Sequence, residues 1–486
     1  TEQDTIYFYR EDNLWGGINF IQTPVSNDSS KFSYCKITKA AGGAIEIESY
    51  NKVIISNCTI RNNRRTDHGG GINCLNAELN IRNSNICRNL AINYDDFATC
   101  GGAIYLENSY LKLENCIISR SFVYGEYEVE GGAGAGMYII NSSCDITNCE
   151  IFGNYSIIHG GPSYGGGLYA YNSQLDISNT IIRDNEMTAG SGLYICDSNG
   201  IIINSLVHNN HTDGGFMDGQ GIGISISDFD IINTIVCDNS AYGMTGSGNI
   251  NIINSIFTNN TYEQIHLSGG YQGCYTTANI LYSAVEDGIN GVTIGNPGWV
   301  TFNWLEGNIE DDPLFIDPDN GNFHFFSDSP CINAGTPDTT GLNLPEYDLD
   351  GNPRIYEDLI DMGCYEWQGT DADDIQLPMT SYQLYNYPNP FNPSTTISFS
   401  IEQNQINELI EINIYNVKGQ RVKSLPVILS DPAAAGRIEG QRQNNQYSII
   451  WDGTDENKHP VSSGIYFYQL KVDGEVKQTK KMMLIK

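Results

Sequence analysis

The sequence has few basic residues and no long apolar run. Its 486 residues contain 25 Lys and Arg against 58 Asp and Glu, a formal net charge of −33. Such an acidic chain is predicted to avoid nucleic acid and anionic lipid, to stay soluble outside a cell and to attract divalent cations. No apolar segment approaches the roughly 18 residues of a membrane-spanning helix, so the sequence predicts no transmembrane segment.

Other common signals are missing as well. The chain starts TEQDTIYFYR without a secretion signal, so we expect a mature or trimmed form. No Cys-x-x-Cys pair occurs among the 13 cysteines, which argues against a cysteine metal cluster. Cys116 and Cys149 are predicted to lie in consecutive repeats, where they are either small core residues or a disulfide pair. Helical periodicity is absent, and short runs alternate between apolar and polar residues instead.

An asparagine recurs along the chain two residues after Ile or Leu and three before Ile, Val or Phe. It stands at Asn57, Asn83, Asn115, Asn148, Asn179, Asn204, Asn233 and Asn254. Six residues past each of these, seven of the eight second positions are Asn again. We assign the first asparagines a structural role at corners, where stacked amides donate and accept hydrogen bonds along one axis. The flanking apolar positions are predicted to form the core.

A glycine-rich triplet also recurs, and its glycines permit tight or left-handed corners. The triplets begin at Gly42, Gly69, Gly101, Gly134, Gly165, Gly190, Gly219 and Gly246. Together the two corners define a unit of 21 to 33 residues with three short strands. Such a unit buries its inward residues only by stacking on neighbours about 4.8 Å away. The sequence therefore predicts an all-β fold, with a parallel β-helix over residues 1–260.

The repeats of residues 32–260 resemble those of polymorphic outer-membrane proteins and other secreted right-handed β-helices, so we expect a right-handed solenoid. Residues 261–370 contain DPLFIDPDNGNFHFFSDSPCINAG and YDLDGNPRIYEDLIDMGCYEW, which resemble the segment that closes many secreted bacterial β-helix proteins. We therefore predict C-terminal coils and a cap there, followed by a polar linker at residues 371–384.

Residues 385–486 are similar to the type A C-terminal sorting domain of the type IX secretion system, a small β-sandwich found in Bacteroidota and their relatives. The matching motif residues occur in order at Pro388, Asn389, Pro390, Phe391, Trp451, Asp452, Gly453, Lys480 and Lys481. The resemblance implies that the type IX secretion machinery is a partner. It also implies that the protein is secreted or held on the outer cell surface.

Loops of variable length leave one edge of the predicted solenoid, and they are rich in aromatic and acidic residues. The candidate ligand-binding residues there are Tyr94, Phe97, Tyr124, Tyr127, Tyr155 and Tyr164, with Asp95, Asp96, Glu126 and Glu128. Aromatic rings beside carboxylates suit the faces and hydroxyls of sugars, so polysaccharide is the hypothesised ligand. The alternative is that the loops fold on themselves and the acids only solvate them.

An enzyme is the alternative function, because β-helices host polysaccharide lyases and glycosidases. Asp184 and Asp238 share a column two coils apart, and with Asp95 and Asp96 they are the candidate catalytic carboxylates. The sequence lacks the residue sets of polygalacturonases and of pectate lyases. We therefore expect a binding or structural protein rather than an enzyme.

Two acidic motifs in residues 261–370 resemble fragments of calcium loops. They contain Asp317 and Asp319 in DPDNGN, and Asp348 and Asp350 in DLDGN, but neither has the glutamate that completes an EF-hand. Asx turns explain both motifs equally well. Calcium stays an alternative here, and no other cofactor is predicted.

The first twenty residues already contain runs typical of a solenoid wall, with no amphipathic segment ahead of them. We expect that further coils precede residue 1 in the complete protein. The alternative is self-association through an open N-terminal end.

Overall fold

The computed structural model describes residues 5–9, 15–22, 29–50, 52–93, 99–125, 134–158, 163–187, 190–212, 220–356, 358–369, 384–387, 391–400, 410–427, 446–456, 458–472 and 475–484. The chain divides into two compact units, Thr1–Gly369 and Thr370–Lys486. The described residues form β-strands and short 3-10 turns with no α-helix, so the predicted all-β class is confirmed. None of their helical turns is long and apolar enough to cross a membrane.

The first unit is a parallel β-solenoid with three sheets along its length. The flank sheet contains β1 (Ile6–Phe8), β4 (Cys35–Thr38), β7 (Thr59–Arg61), β11 (Asn85–Cys87), β15 (Ile117–Ser119), β19 (Glu150–Phe152), β23 (Ile181–Arg183), β27 (Leu206–His208), β30 (Ile235–Cys237), β32 (Ile256–Thr258) and β35 (Ala284–Val285). The edge sheet contains β8 (Arg64–Thr66), β12 (Leu90–Asn93), β16 (Phe122–Gly125), β20 (Tyr155–Ile158), β24 (Glu186–Met187) and β28 (His211–Thr212).

The third sheet, the long sheet, has twenty strands. They are β2 (Ile18–Ile21), β3 (Ser30–Ser33), β5 (Ile45–Glu48), β6 (Val53–Ser56), β9 (Ile72–Leu75), β10 (Glu78–Arg82), β13 (Ile104–Glu107), β14 (Tyr110–Glu114), β17 (Met137–Ile140), β18 (Ser143–Thr147), β21 (Leu168–Tyr171), β22 (Gln174–Ser178), β25 (Leu193–Cys196), β26 (Asn199–Ile203), β29 (Ile222–Ile232), β31 (Met244–Ile253), β33 (Ile265–Leu267), β34 (Thr276–Leu281), β36 (Val292–Ile294) and β37 (Val300–Trp304). The 3-10 turns are Tyr271–Gly273, Gly288–Gly291, Pro297–Trp299 and Pro318–Asn320.

The coils differ from the predicted unit in their number of strands. A central coil such as residues 72–93 has four short strands rather than three, because its first two strands belong to the same long sheet. The parallel pairing also runs past residue 260 as far as Trp304. Tyr282 occupies the corner that asparagine holds in earlier coils, with φ 48°, so the asparagine pattern ends before the solenoid does.

The predicted core columns are confirmed. The apolar residues before and after each first asparagine are fully buried, as Ile81 and Ile86 illustrate at 0% exposure. The first asparagines lie at corners with φ between 44° and 54°, a left-handed conformation that asparagine tolerates better than most residues. The buried amide ladder is formed by the second asparagines, and Asn154, Asn185 and Asn210 hydrogen-bond in sequence at 3.0 and 3.1 Å.

The eighth glycine triplet was placed wrongly by the sequence pattern. Gly246 lies inside β31 and pairs with Ile224. The corner is instead occupied by Gly243, which is in register with Gly221 of the preceding coil. This coil is shorter than the others, so the fixed spacing of the pattern points to the wrong glycine. The structure has no disulfide among the 13 cysteines, and Cys116 and Cys149 are buried.

The C-terminal module, residues 310–369, packs against the side of the solenoid. It includes the antiparallel pair β38 (Phe315–Asp317) and β39 (Asn322–Phe325). Its Phe323, Phe325 and Met362 share an apolar core with the outward residues Ile235 and Ile256 of the flank sheet. The contact seen is therefore lateral, whereas the sequence pattern predicts a cap on the last coil.

Buried polar contacts fasten this module to the asparagine corners. Arg354, only 1% exposed, donates to Asn204 Oδ1 at 2.9 Å and to Glu366 Oε2 at 2.8 Å. Asn233 donates to the carbonyl oxygen of Asp361 at 2.9 Å. The corner amides thus provide hydrogen-bonding groups that face the module as well as each other.

The second unit has two antiparallel sheets around one apolar core. The first sheet contains β40 (Leu384–Tyr387), β41 (Thr395–Ser400) and β44 (Gln446–Trp451), and the second contains β43 (Arg421–Val427), β42 (Ile410–Asn416), β45 (Gly464–Val472) and β46 (Glu475–Leu484).

Candidate functional site

Most of the predicted loop-edge residues lie outside the described residues. These are Tyr94, Asp95, Asp96, Phe97, Glu126, Tyr127 and Glu128. The described members are Tyr124, Tyr155 and Tyr164, and they mark the two borders of the strip from which the loops leave.

The edge sheet forms the first border. Phe122 in β16 is in register with Tyr155 in β20, and their rings stack with centroids 5.3 Å apart. Tyr124 is in register with Ile157, which is 41% exposed. The roots of adjacent loops therefore carry an outward row of aromatic and aliphatic side chains.

A ladder of tyrosines forms the second border. Tyr105, Tyr138, Tyr169 and Tyr194 occupy one outward column of consecutive strands. Their ring centroids are 5.3, 5.0 and 5.9 Å apart, and neighbouring ring planes lie within 9° of parallel. Tyr164 tilts against the ladder, 5.0 Å from Tyr194, and is separate from the Tyr124 row.

The sequence analysis missed this tyrosine ladder, although each tyrosine follows a glycine corner at the same offset. Burial raises the pKa of Tyr105, Tyr138 and Tyr169 well above the usual range, so their hydroxyls stay protonated at physiological pH. The Tyr105 hydroxyl donates to Glu107 at 3.0 Å, and His68 stacks on the Tyr105 ring at 4.6 Å. The ladder therefore presents neutral hydroxyl groups along the solenoid axis.

The candidate catalytic aspartates lie at the corner after the flank sheet. Asp184 accepts hydrogen bonds from Arg183 and Asn209, and Asp238 accepts one from Asn259. Asp184 and Asp238 occupy the same corner position two coils apart, with φ of 53° and 54°. Each carboxylate thus has partners from its own or the next coil.

A cavity of about 810 Å³ lies between the last coils and the C-terminal module. Its carboxylates come from Asp238, Glu286, Asp287, Glu310, Asp311 and Asp312, and its aromatic rings from Phe315, Phe323 and Phe326. This volume falls in the range of small-molecule sites. Only Asp238 was a sequence candidate, because the other acidic and aromatic lining residues lie after residue 260, where the repeat pattern has ended.

The acidic motifs of the module behave as turns. Asp348 is 3% exposed, and its carboxylate accepts the backbone N–H groups of Asp350, Asn352 and Glu366 at 2.7 to 3.0 Å. Asp317 accepts from Asn320 at 2.9 Å, and only the backbone of Asp319 is described. In the described part of the chain, no group of three or more His, Cys, Asp and Glu could hold a metal ion. The geometry favours Asx turns over calcium loops.

The sorting motif lies at the centre of the second unit. Trp451 is fully buried and packs on Phe391 and Tyr466 with centroids 5.4 and 5.2 Å apart. Gly453 has φ 69°, and a Cβ there would meet a carbonyl oxygen at 2.5 Å. Lys480 and Lys481 are exposed on β46, whereas Pro388, Asn389 and Pro390 lie outside the described residues. Asp452 accepts from Lys423 at 3.1 Å.

Comparisons with known proteins cover both units. Residues 17–163 match the family described as "Right handed beta helix region", and residues 386–431 match "Secretion system C-terminal sorting domain". No curated protein sequence matches the chain.

Two solved structures are similar to parts of the chain. One is dimeric latent PorU from Porphyromonas gingivalis, at 23% identity over 21% of this chain and 9% of that chain, with a TM-score of 0.17. The other is pectate lyase Pel9A, at 11% identity over 73% of this chain and 87% of that chain, with a TM-score of 0.38. Both scores are too low to bear on function. The two family matches and the fold identify the chain as a right-handed parallel β-helix protein that is exported through the type IX secretion system by its C-terminal sorting domain.

Proposed function

We propose that this exported protein binds a polysaccharide along its loop edge and does not cleave it. The observation that carries the proposal is the tyrosine ladder, which presents the same aromatic side chain in four consecutive coils. Because the ladder runs along the solenoid axis, an extended polymer lying parallel to the axis meets one phenol group per coil.

The chemistry of the ladder suits sugar hydroxyls. Its inner rings stack on each other, so their edges and hydroxyl oxygens are the parts that can contact a ligand. Protonated phenol hydroxyls both donate and accept hydrogen bonds, as sugar hydroxyls do. The row of Phe122, Tyr124 and Tyr155 across the loop roots adds apolar surface for sugar faces.

The test removes only the hydroxyls of the central rings. The double variant Tyr138→Phe/Tyr169→Phe keeps the stack, and Tyr110→Phe is the matched control because its hydroxyl bonds Asp145 at 2.6 Å elsewhere on the long sheet. Affinity electrophoresis in a panel of neutral polysaccharides should show weaker retention of the double variant and unchanged retention of the control. Equal retention of all three proteins, or no retention of the wild type, would reject the proposal.

A glycoside hydrolase is the second candidate function, and the cavity favours it. Asp238, Glu286 and Glu310 line the same space as three phenylalanines, as a general acid and a second carboxylate would in such an enzyme. None of the lining residues is Lys or Arg, so an acidic polysaccharide would be repelled and a neutral one is the expected substrate. Release of reducing ends from neutral polysaccharide that is lost in Asp238→Asn and Glu310→Gln would establish this function. Lyase activity would appear instead as unsaturated products.

A further inference from the structure

Basic residues collect on one face of the solenoid. The basic stripe consists of Lys36, Lys39, Arg61, Arg88 and Arg120, which stand in or directly after the successive flank-sheet strands β4, β7, β11 and β15. Residues 1–380 contain only 14 Lys and Arg against 48 Asp and Glu, and five of the 14 lie here. One face of a strongly acidic unit is therefore locally cationic.

The backbone does not explain why these residues are basic. Lys39, Arg88 and Arg120 occupy the left-handed corner after the flank sheet, with φ of 61°, 55° and 52°. Asn, Asp or Gly stands at the same corner in the other coils that the structure describes, where the conformation is easier for these residues. Long basic side chains at a corner that favours short ones indicate a role for the charge.

In the part of the chain that the structure describes, no carboxylate neutralises the stripe. Among the described residues, none of its five cations forms an ion pair. Arg183, further along the same sheet, shows what neutralisation looks like: it bonds Glu150 at 2.9 Å and also bonds Asp184. Arg183 and the basic stripe lie on the same sheet, so the two environments can be compared directly.

A second observation concerns Arg61. Its Nε atom is buried and has no hydrogen-bond partner among the protein atoms that the structure describes. Burial and the neighbouring Arg61 lower the pKa of Lys36. Burial raises the pKa of the Cys87 thiol, and the charges of Arg61, Arg88, Arg120 and Lys36 all oppose that rise. Arg61 is in register with Cys87, and Arg88 and Arg120 directly follow the next two strands of the same sheet. These cations therefore lie close together, and an anionic group beside them would pair with the buried donor.

We propose that the basic stripe binds an anionic polysaccharide through its sulfate or carboxylate groups. Neighbouring strands lie about 4.8 Å apart, so the cations recur along roughly 14 Å of the axis, which suits a polymer with repeated charges better than a single small anion. Aromatic rings stand at both ends, Tyr7 beside Lys36 and Phe152 beside Arg120. A glycan is the occupant because the protein works outside the cell.

This site is separate from the tyrosine ladder, since it lies on the flank sheet and the corner after it, whereas the ladder lies on the long sheet. The net charge of the unit repels any polyanion at long range, but this repulsion is screened beyond about 8 Å at physiological salt. Binding is therefore expected to depend on the short-range contacts of the stripe.

The experiment uses the full chain with dextran sulfate and uncharged dextran as probes at physiological ionic strength. The variant Arg88→Glu/Arg120→Glu reverses two of the three exposed charges of the stripe and leaves Lys39 in place. The matched control is Lys52→Glu/Lys112→Glu, which makes the same change in charge at lysines that already pair with Glu78 and Glu114. Affinity for dextran sulfate should fall by about tenfold or more in the first variant and change by less than about twofold in the control.

Thermal melting shows whether each variant is folded. The neutral variant Arg88→Gln/Arg120→Gln removes the two positive charges without adding negative ones. A folded neutral variant with weaker binding supports the proposal. Three results overturn it: no preference of the wild type for dextran sulfate over dextran, an equal loss in the control, or binding of duplex DNA at least as tight as that of dextran sulfate. A wild type that binds dextran sulfate but is not retained by any neutral polysaccharide would reject only the loop-edge function.

Discussion

Replacement of one amide in the buried ladder should destabilise the solenoid. Asn185 is fully buried, and its Oδ1 accepts from both the backbone N–H and the Nδ2 of Asn154 at 3.1 and 3.0 Å. Its Nδ2 donates to the Ile151 carbonyl at 3.0 Å and to Asn210 Oδ1 at 3.1 Å. Asn185→Leu keeps the size of the side chain and removes all four hydrogen bonds.

The magnitude follows from the groups that lose their partners. The Asn154 N–H and one Asn154 amide hydrogen have no alternative acceptor in the ladder, while Asn210 Oδ1 keeps the backbone N–H of residue 185. Each orphaned buried group costs about 1–3 kcal/mol, so two such groups should lower the free energy of unfolding by roughly 2–6 kcal/mol. Ser121 already replaces asparagine once in this column and accepts the Asn89 N–H at 3.2 Å. Asn185→Ser should therefore cost less than Asn185→Leu.

The assay is urea denaturation of the full chain, with hydrogen exchange at the Asn154 amide as a local readout. The control is Asn115→Gly, which removes an exposed ladder bond of 3.2 Å and keeps a residue that tolerates φ 52°. Its cost should stay below about 1 kcal/mol. The reasoning is refuted if Asn185→Leu changes stability by less than the control, or if Asn154 keeps its protection.

Three further outcomes are expected. Ile118→Asp places an unpaired charge in a fully buried position and should cost several kcal/mol in urea denaturation, about 3 or more, whereas Ile117→Asp on the outward face of the same strand should cost much less. Burial raises the pKa of Glu366 to about 8 against the opposing charge of Arg354. Between pH 4.5, the ordinary pKa of a glutamate, and about pH 8, the folded protein holds a proton that the unfolded chain has lost. The free energy of unfolding should therefore fall as the pH rises through this window. A Glu366→Gln variant whose stability has the same pH dependence as the wild type would contradict this assignment. Gly453→Ala should unfold the sorting unit, because the added Cβ would clash with the backbone, and export measured in cell fractions should fall. The control Gly419→Ala, with φ 75° and open space around it, should remain exported.

The repeat made most of the solenoid predictable. Residues at equal offsets in successive coils stack, so the buried columns of Ile81 and Ile86 could be assigned from spacing alone. The same rule placed Asp184 and Asp238 two coils apart in one column. It failed at Gly246, because a shorter coil changes the offset, and at Tyr282, because another residue adopts the corner conformation.

The candidate sites were less predictable for two different reasons. The tyrosine ladder was readable from the repeat, since Tyr105 and Tyr138 follow glycine corners at one offset, but the search for ligand residues was confined to the variable loops. The acidic cavity was not readable, because Glu310 and Phe326 come from a segment without a period and meet Asp238 only after that segment packs sideways on the coils.

The sequence by itself determined the β-helix, its inward columns, its corners and the sorting unit, because in a solenoid each coil contacts only its neighbours and the repeat length sets those contacts. Tertiary structure alone decided where the C-terminal module docks, since that depends on complementarity between its apolar face and the outward residues of the flank sheet. It also decided that Arg183 has two carboxylate partners, whereas the basic stripe has none among the described residues. Charge counts give the number of acids in a chain, and only the fold decides which of them come within reach of a given cation.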